Sequence, residues 1–138
     1  MSDDVETIVE TFRLLNSDTY EQALDRVDDE FEMVTPAELA SEPDAYRGPE
    51  GVRRWWESFL EVMEWVRLEV EEVHPVDDRR VILEFVIRTR GRSSGIETDQ
   101  RAVGLATARD GKLYRLAFFT DLAQARAAAA DPATESQG

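Results

Sequence analysis

The strongest constraint in this sequence is a single change of hydrophobic period at Trp65. Before it, apolar residues recur about every 3.6 residues; after it, every second residue. A chain patterned this way keeps its helices apart from its strands, which predicts an α+β domain. Ahead of the switch, Val5, Ile8, Val9, Phe12 and Leu15 form one apolar helical stripe. Ser2 is placed to cap that helix, and Asp3 and Asp4 suit the positive end of its dipole. A second helix starts at Asp18, which has capping-box spacing to Glu21, and buries Tyr20, Ala23, Leu24 and Val27. A short strand follows, with Phe31 and Met33 on one face and Glu32 and Val34 on the other, ended by Pro36. Residues 36 to 48 read as a loop. Gly48-Pro49 then opens a third helix, whose inner stripe is Val52, Trp55, Trp56, Phe59 and Met63.

Beyond the switch, strands are expected over 66–74, 80–90, 95–108 and 112–120. They are separated by Asp77-Asp78, by Gly91 to Gly95 and by Asp110-Gly111, a pair that accepts the positive φ of a type I′ turn. Three hairpins in series make a four-stranded antiparallel meander. A last helix takes Asp121 as its N-cap and runs through Ala130, and Pro132 to Gly138 has the composition of a frayed tail. The expected organisation is one domain over residues 1–130 and a disordered tail over 131–138, a length that buries a single core.

Charge is divided as unevenly as period. Residues 1–50 carry 15 Asp or Glu against 3 Arg, and residues 51–138 carry 15 against 13, for a net charge of -14. Nucleic acid and anionic membrane surfaces are poor partners for such a chain, because phosphate binding needs a concentrated positive field. Lys112 is the single lysine. A high-salt cytosol that screens excess carboxylate, or high-GC codon usage, accounts for this bias. With no cysteine and one histidine, His74, disulfides, thiolate chemistry and multi-His metal sites are excluded. The acidic N-terminus and the lack of a roughly 20-residue apolar run lead us to expect a cytoplasmic protein.

The order of elements, with Tyr46-Arg47-Gly48-Pro49-Glu50-Gly51-Val52 entering the third helix, resembles the nuclear transport factor 2-like superfamily, and within it the SnoaL-like domains. Arg90-Gly91-Arg92-Ser93-Ser94-Gly95, Arg109-Asp110-Gly111-Lys112 and Phe119-Thr120-Asp121-Leu122 extend the resemblance over residues 4 to 130. It implies a cystatin-like α+β barrel: a cone-shaped, curved antiparallel sheet with three helices packed on its concave face, commonly paired into homodimers through the sheet. Members include isomerases, polyketide cyclases, dehydratases, epoxide hydrolases and proteins without catalysis, so the fold does not fix the function. The enzymes tend to hold an acidic base and a hydrogen-bond donor in an apolar cone. None of their catalytic signatures matches here position by position, and His74 followed by Pro75 departs from the His and Asp pair of a cyclase.

Two carboxylates are candidates on chemical grounds. Asp99 and Glu32 lie in strands, and a carboxylate turned into an apolar cone has its pKa raised by desolvation, as suits a general base. The alternative is that both face solvent or pair with arginines, Arg101 being two residues from Asp99. His74 reads as an exposed strand-end residue, there is no nucleophile elbow, and Gly91 to Gly95 lacks the ending of a phosphate loop. In the central hairpin, Val81, Leu83, Phe85, Ile87 and Thr89 share the face that meets the helices. Ile82, Glu84, Val86, Arg88 and Arg90 share an amphipathic face suited to a partner subunit, although Arg88 can also serve an anionic ligand. Trp55, Trp56, Phe59, Phe85, Tyr114 and Phe118 either line a pocket for a flat apolar ligand or fill it as core. Ala102, Gly104 and Ala106 leave room for a ligand or for close packing, and Tyr46 can donate a hydrogen bond at the cone mouth.

The function expected is therefore binding of a small apolar molecule in a conical pocket, with cofactor-independent isomerisation, cyclisation or dehydration as the chemistry such a pocket hosts. The alternative is a non-catalytic dimeric binding or interaction module with a closed core. No metal or other cofactor is expected.

Overall fold

The computed structural model describes residues 3–16, 19–34 and 46–130. The cap expected at Ser2, the helix start at Asp18, the loop from 36 to 45 and the tail at 131–138 lie outside the described residues. The elements are α1 (Asp3–Arg13), α2 (Tyr20–Leu24), β1 (Val27–Val34), α3 (Gly48–Leu60), β2 (Met63–Pro75), β3 (Arg80–Gly91), β4 (Glu97–Arg109), β5 (Lys112–Phe119) and α4 (Leu122–Ala130). Met63, expected on the third helix, is instead the first residue of β2, because α3 stops at Leu60.

Strands β2 to β5 form the expected antiparallel meander, and β1 joins it beside β5 in parallel, giving the order β1-β5-β4-β3-β2. The tightest connection is the β4–β5 turn, where Asp110 (φ 52°) and Gly111 (φ 78°) both adopt the left-handed conformation of a type I′ turn. At the other end of the chain, α1 lays Val5, Ile8, Val9 and Phe12 on the concave face, each 4% exposed or less. Burial of that kind contributes about 1.5–3 kcal/mol per large side chain. Leu15, just beyond α1, is buried too, and its carbonyl accepts the Leu68 N–H at 3.2 Å, which ties the helix to β2.

The small residues of β4 serve close packing. A Cβ added to Gly104 would stand 3.1 Å from Leu116 and 3.3 Å from Phe85, and Ala102, Ala106 and Ala108 are buried in the same core.

Helices α1, α2 and α3 belong to this concave side. The fourth helix takes the opposite side, where Ala125 packs on Ile82, Val103 and Leu105 in a second, smaller apolar cluster. Asp121 caps it by accepting the Gln124 N–H at 2.8 Å. The 8% exposed Arg80 holds its other end, donating to the Ala129 carbonyl at 3.2 Å while its Nε bonds Asp77 at 2.7 Å. Among the described residues, no helix is long and apolar enough to cross a membrane.

Candidate functional site

Helix α3 organises the interior. Adjacent helical residues point about 100° apart, so Trp55 and Trp56 are both buried only because α3 is enclosed by β2 on one side and by α2 and β1 on another. Trp55 faces the sheet, with ring centroids 5.6 Å from Phe118 and 5.4 Å from Phe59. Phe118 lies 5.8 Å from Phe85, which lies 5.6 Å from Phe12. A continuous row of rings thus runs from α3 across β5 and β3 to α1. Trp56 closes its α3 end, 5.9 Å from Trp55 and 6.2 Å from Phe59. Trp56 is fully buried, and its indole Nε1 has no hydrogen-bond partner among the described residues. The buried polar side chains Thr11, Thr89 and Arg80 are all bonded; the Thr11 hydroxyl, for example, donates to the Thr7 carbonyl at 2.7 Å.

Tyr46 is half-buried against the same core. Its backbone is fixed from two sides. The Tyr46 carbonyl accepts the Met33 N–H of β1 at 3.1 Å, and Gly51 in the first turns of α3 lets the chain pass so close that an added Cβ would lie 2.7 Å from the Tyr46 carbonyl carbon. The Gly-Pro-Glu-Gly sequence opening α3 therefore does two jobs. Pro49 starts the helix, and Gly51 admits the approach of the preceding segment.

Two bulges decide which side chains reach the cone. In β5, consecutive residues Thr107 and Ala108 of β4 pair with Arg115 and Leu113, so Tyr114 is the extra residue. Strict alternation would put Tyr114 beside Leu116 and Phe118. The bulge turns Leu113 inward instead, and Tyr114 lies under the Arg109 guanidinium, 3.8 Å from its carbon. Its expected place in the pocket is thereby corrected. In β2, Val70 and Glu72 pair with consecutive residues Phe85 and Glu84, so Glu71 is extra. Val73 then faces the core and His74 faces away, where its Nε2 meets Glu84 Oε2 at 2.7 Å.

The candidate carboxylates are not brought into the cone. Asp99 lies on the outer face of β4, with its side chain 57% exposed, and accepts from Arg88 Nη1 at 3.1 Å. The expectation of a desolvated base at Asp99 is corrected by that placement, since its side chain is exposed and paired with Arg88 rather than turned into the cone. Arg88 also donates to Glu69 at 2.7 Å, and these two bonds raise the Arg88 pKa, the Glu69 bond most, so its charge is committed to the sheet surface rather than to an anionic ligand. Glu32 is half-buried in β1, between the inward residues Phe31 and Met33, and so lies on the face turned from the core. Among the described residues, no Asp or Glu is buried. Outside the cone, Asp28 is held below the usual carboxylate range, chiefly by the Glu30 N–H at 2.8 Å and, against the opposing effect of burial, by Arg109 at 3.0 Å. Among the described residues, no group of three or more His, Asp or Glu side chains could hold a metal ion.

Trp55, Trp56, Phe59, Phe85 and Phe118 are thus brought together, Tyr46 is half-buried against the same core, and Tyr114, Asp99 and Glu32 are not part of the row. The unpartnered Trp56 N–H was missed in the sequence reading. Its signal was the Trp-Trp pair in one helix, since a second buried indole brings a donor that the apolar stripe cannot satisfy.

Solved structures share this architecture. The chain matches TerC co-crystallized with polyporic acid at a TM-score of 0.71 and 20% identity, over 91% of this chain and 97% of that chain. It matches a putative SnoaL-like polyketide cyclase from Jannaschia sp. CCS1 at 0.68 and 21%, over 94% of each chain. A Mycobacterium tuberculosis protein in complex with estradiol-17beta-hemisuccinate matches at 0.71 and 12%, over 89% of this chain and 97% of that one. At such identities the likeness is one of fold. No curated protein matches the sequence. The family model described as the SnoaL-like domain matches residues 8–116, which include β1, α3 and most of the sheet. With four-fifths of its length covered by that model, the chain belongs to the SnoaL-like domain family.

Proposed function

We infer that this domain binds a small, neutral, mostly apolar molecule on the concave side of the sheet, against the ring row of Trp55, Phe59, Phe118 and Phe85. The observation that carries this reading is the convergence of those aromatics from three elements with no buried carboxylate among the described residues. Structures of the same fold solved with polyporic acid and with estradiol-17beta-hemisuccinate support a small, ring-containing ligand. Proton-transfer chemistry through Asp99 or Glu32 is no part of the proposal, because neither side chain faces the ring row.

The test is a thermal-shift and tryptophan-quenching titration with a panel of planar polycyclic compounds. A ligand at one hundred times its Kd should stabilise the protein by about 2.7 kcal/mol. Saturable quenching with a matching rise in Tm is the expected result. If no member of the panel gives either up to its solubility limit, the binding reading fails and the rings are a closed core.

Pairing of two copies through the outer face of β2, β3 and β4 forms a second part of the proposal. Helix α4 covers the Ile82, Val103 and Leu105 end of that face, leaving Glu69, Arg88 and Asp99 in alternating charge toward solvent. Sedimentation should give a dimer that Arg88→Glu dissociates. A monomer across micromolar concentrations would reject the pairing.

A further inference from the structure

We propose that α4 is a displaceable cover, and that the apolar patch it hides on the outer face of the sheet is a contact surface for a second copy of this chain. This rests on the pairing reading above and adds that docking of α4 and pairing exclude one another.

The outer face of the sheet carries an apolar patch of its own. Ile82 of β3 and Val103 and Leu105 of β4 belong to the cluster beneath α4 rather than to the ring row, and each is 6% exposed or less. Helix α4 covers them chiefly with methyl groups. Ala125 is its single buried residue, and Leu122, Ala128 and Ala129 are partly buried against the patch. An alanine buries far less apolar area than a valine or leucine, so this contact is weak for a helix of nine residues. Clefts flank it at both ends. One of about 250 Å³ lies beside Glu84, Val103 and Leu122 at the start of α4, and one of about 310 Å³ lies beside His74, Ile82 and Ala129 near its end. Close packing leaves few spaces of that size between elements that are firmly docked. Arg80 fastens the far end to the sheet through the Ala129 carbonyl at 3.2 Å, whereas the bonds of Thr120 and Asp121 to Gln124 are local and travel with the helix.

The charges around the patch favour a second copy as the occupant. With α4 docked, the remainder of the face is the strip of Glu69, Arg88 and Asp99, and exposed ion pairs of that kind contribute little to association. A stable interface has an apolar centre inside such a polar rim, and Ile82, Val103 and Leu105 supply that centre only once α4 has moved away. The acid, base, acid order across β2, β3 and β4 also makes the strip complementary to itself. A two-fold axis passing between Arg88 and Asp99 sets the guanidinium of each copy against the carboxylate of the other.

The experiment follows the full chain by analytical ultracentrifugation and by amide exchange. In the wild-type protein, exchange over Leu122–Ala130 should quicken as concentration rises through the monomer–dimer transition. Ala125→Asp sets a carboxylate into the helix contact and alters no residue of the sheet. It should tighten the dimer about tenfold, because the contact face is then uncovered before the copies meet. Adding Arg88→Glu to Ala125→Asp should restore the monomer, which separates pairing through this face from non-specific association of an uncovered patch. Association of Ala125→Asp that survives Arg88→Glu would overturn the cover. So would a wild-type dimer whose α4 amides stay equally protected at every concentration, or one that Ala125→Asp weakens or leaves unchanged, and either result leaves the pairing reading standing. Monomers at every concentration for wild type and Ala125→Asp alike would overturn the two together.

Discussion

Gly51→Ala isolates the contact between α3 and the Tyr46 segment. In an unobstructed helix this change stabilises by about 1 kcal/mol, because alanine restricts the unfolded chain and suits the helix better than glycine. Here the new Cβ would stand 2.7 Å from the Tyr46 carbonyl carbon and 3.0 Å from its Cα. Both are backbone atoms, so no side-chain rotation relieves the overlap, and overpacking of this kind costs about 1–3 kcal/mol. Retreat of the Tyr46 segment would also break its bond from the Met33 N–H, at 3.1 Å, for about another 1 kcal/mol. The balance is a net loss of about 1–3 kcal/mol, or a fall in Tm of about 3–10 °C for a domain of this size. Urea and thermal unfolding followed by tryptophan emission would measure it. Gly111→Ala is the control, since nothing lies within 4 Å there and only its positive φ of 78° opposes the side chain. A Gly51→Ala protein as stable as wild type, or more so, would refute the claim that α3 and the Tyr46 segment are in contact as described.

Other consequences are simpler to check. Asp99→Asn should leave ligand binding unchanged and cost no more than about 1 kcal/mol, as expected for an exposed pair with Arg88; lost binding or lost turnover would return Asp99 to the site. Acid should weaken the β1 edge through Asp28. Its folded pKa lies below the ordinary carboxyl value of 3.8, so its stabilising contribution is complete above that pH and is lost as pH falls through the lower folded value. Urea titrations from pH 6 to pH 2 should therefore show wild type and Asp28→Asn converging below about pH 4; parallel curves would contradict the assignment. Arg80→Met should loosen α4 without touching the ring row, seen as faster amide exchange over Leu122–Ala130 with unaltered quenching by a bound planar ligand.

Much of the architecture was legible because it depends on local chemistry repeated along the chain. The α1 stripe, the Gly-Pro start of α3, the Asp-Gly turn and the Asp121 cap all lie where periodicity and turn chemistry put them. The inward row of β3 was legible too, because no bulge interrupts its pairing with β4. The misplacement of Tyr114 has its cause in strand register. Alternation assigns faces only while the register is unbroken, and a single extra residue reverses every face beyond it. The Tyr114 bulge in β5 removed one aromatic from the cone.

Asp99 failed for a different reason. Period 2 correctly separated the two faces of β4, but only the position of α4 and the curvature of the sheet identify the outer one. By itself the sequence determined the order of elements, the apolar stripes and the family resemblance, since these follow from the intrinsic preferences of residues close in the chain. Only the tertiary structure decided that six aromatics meet in a row and that, among the described residues, the carboxylates stay outside it and one indole N–H is left without an acceptor. Those facts depend on distances between residues far apart in the chain, which hydrogen-bond register and packing fix and hydrophobic period does not.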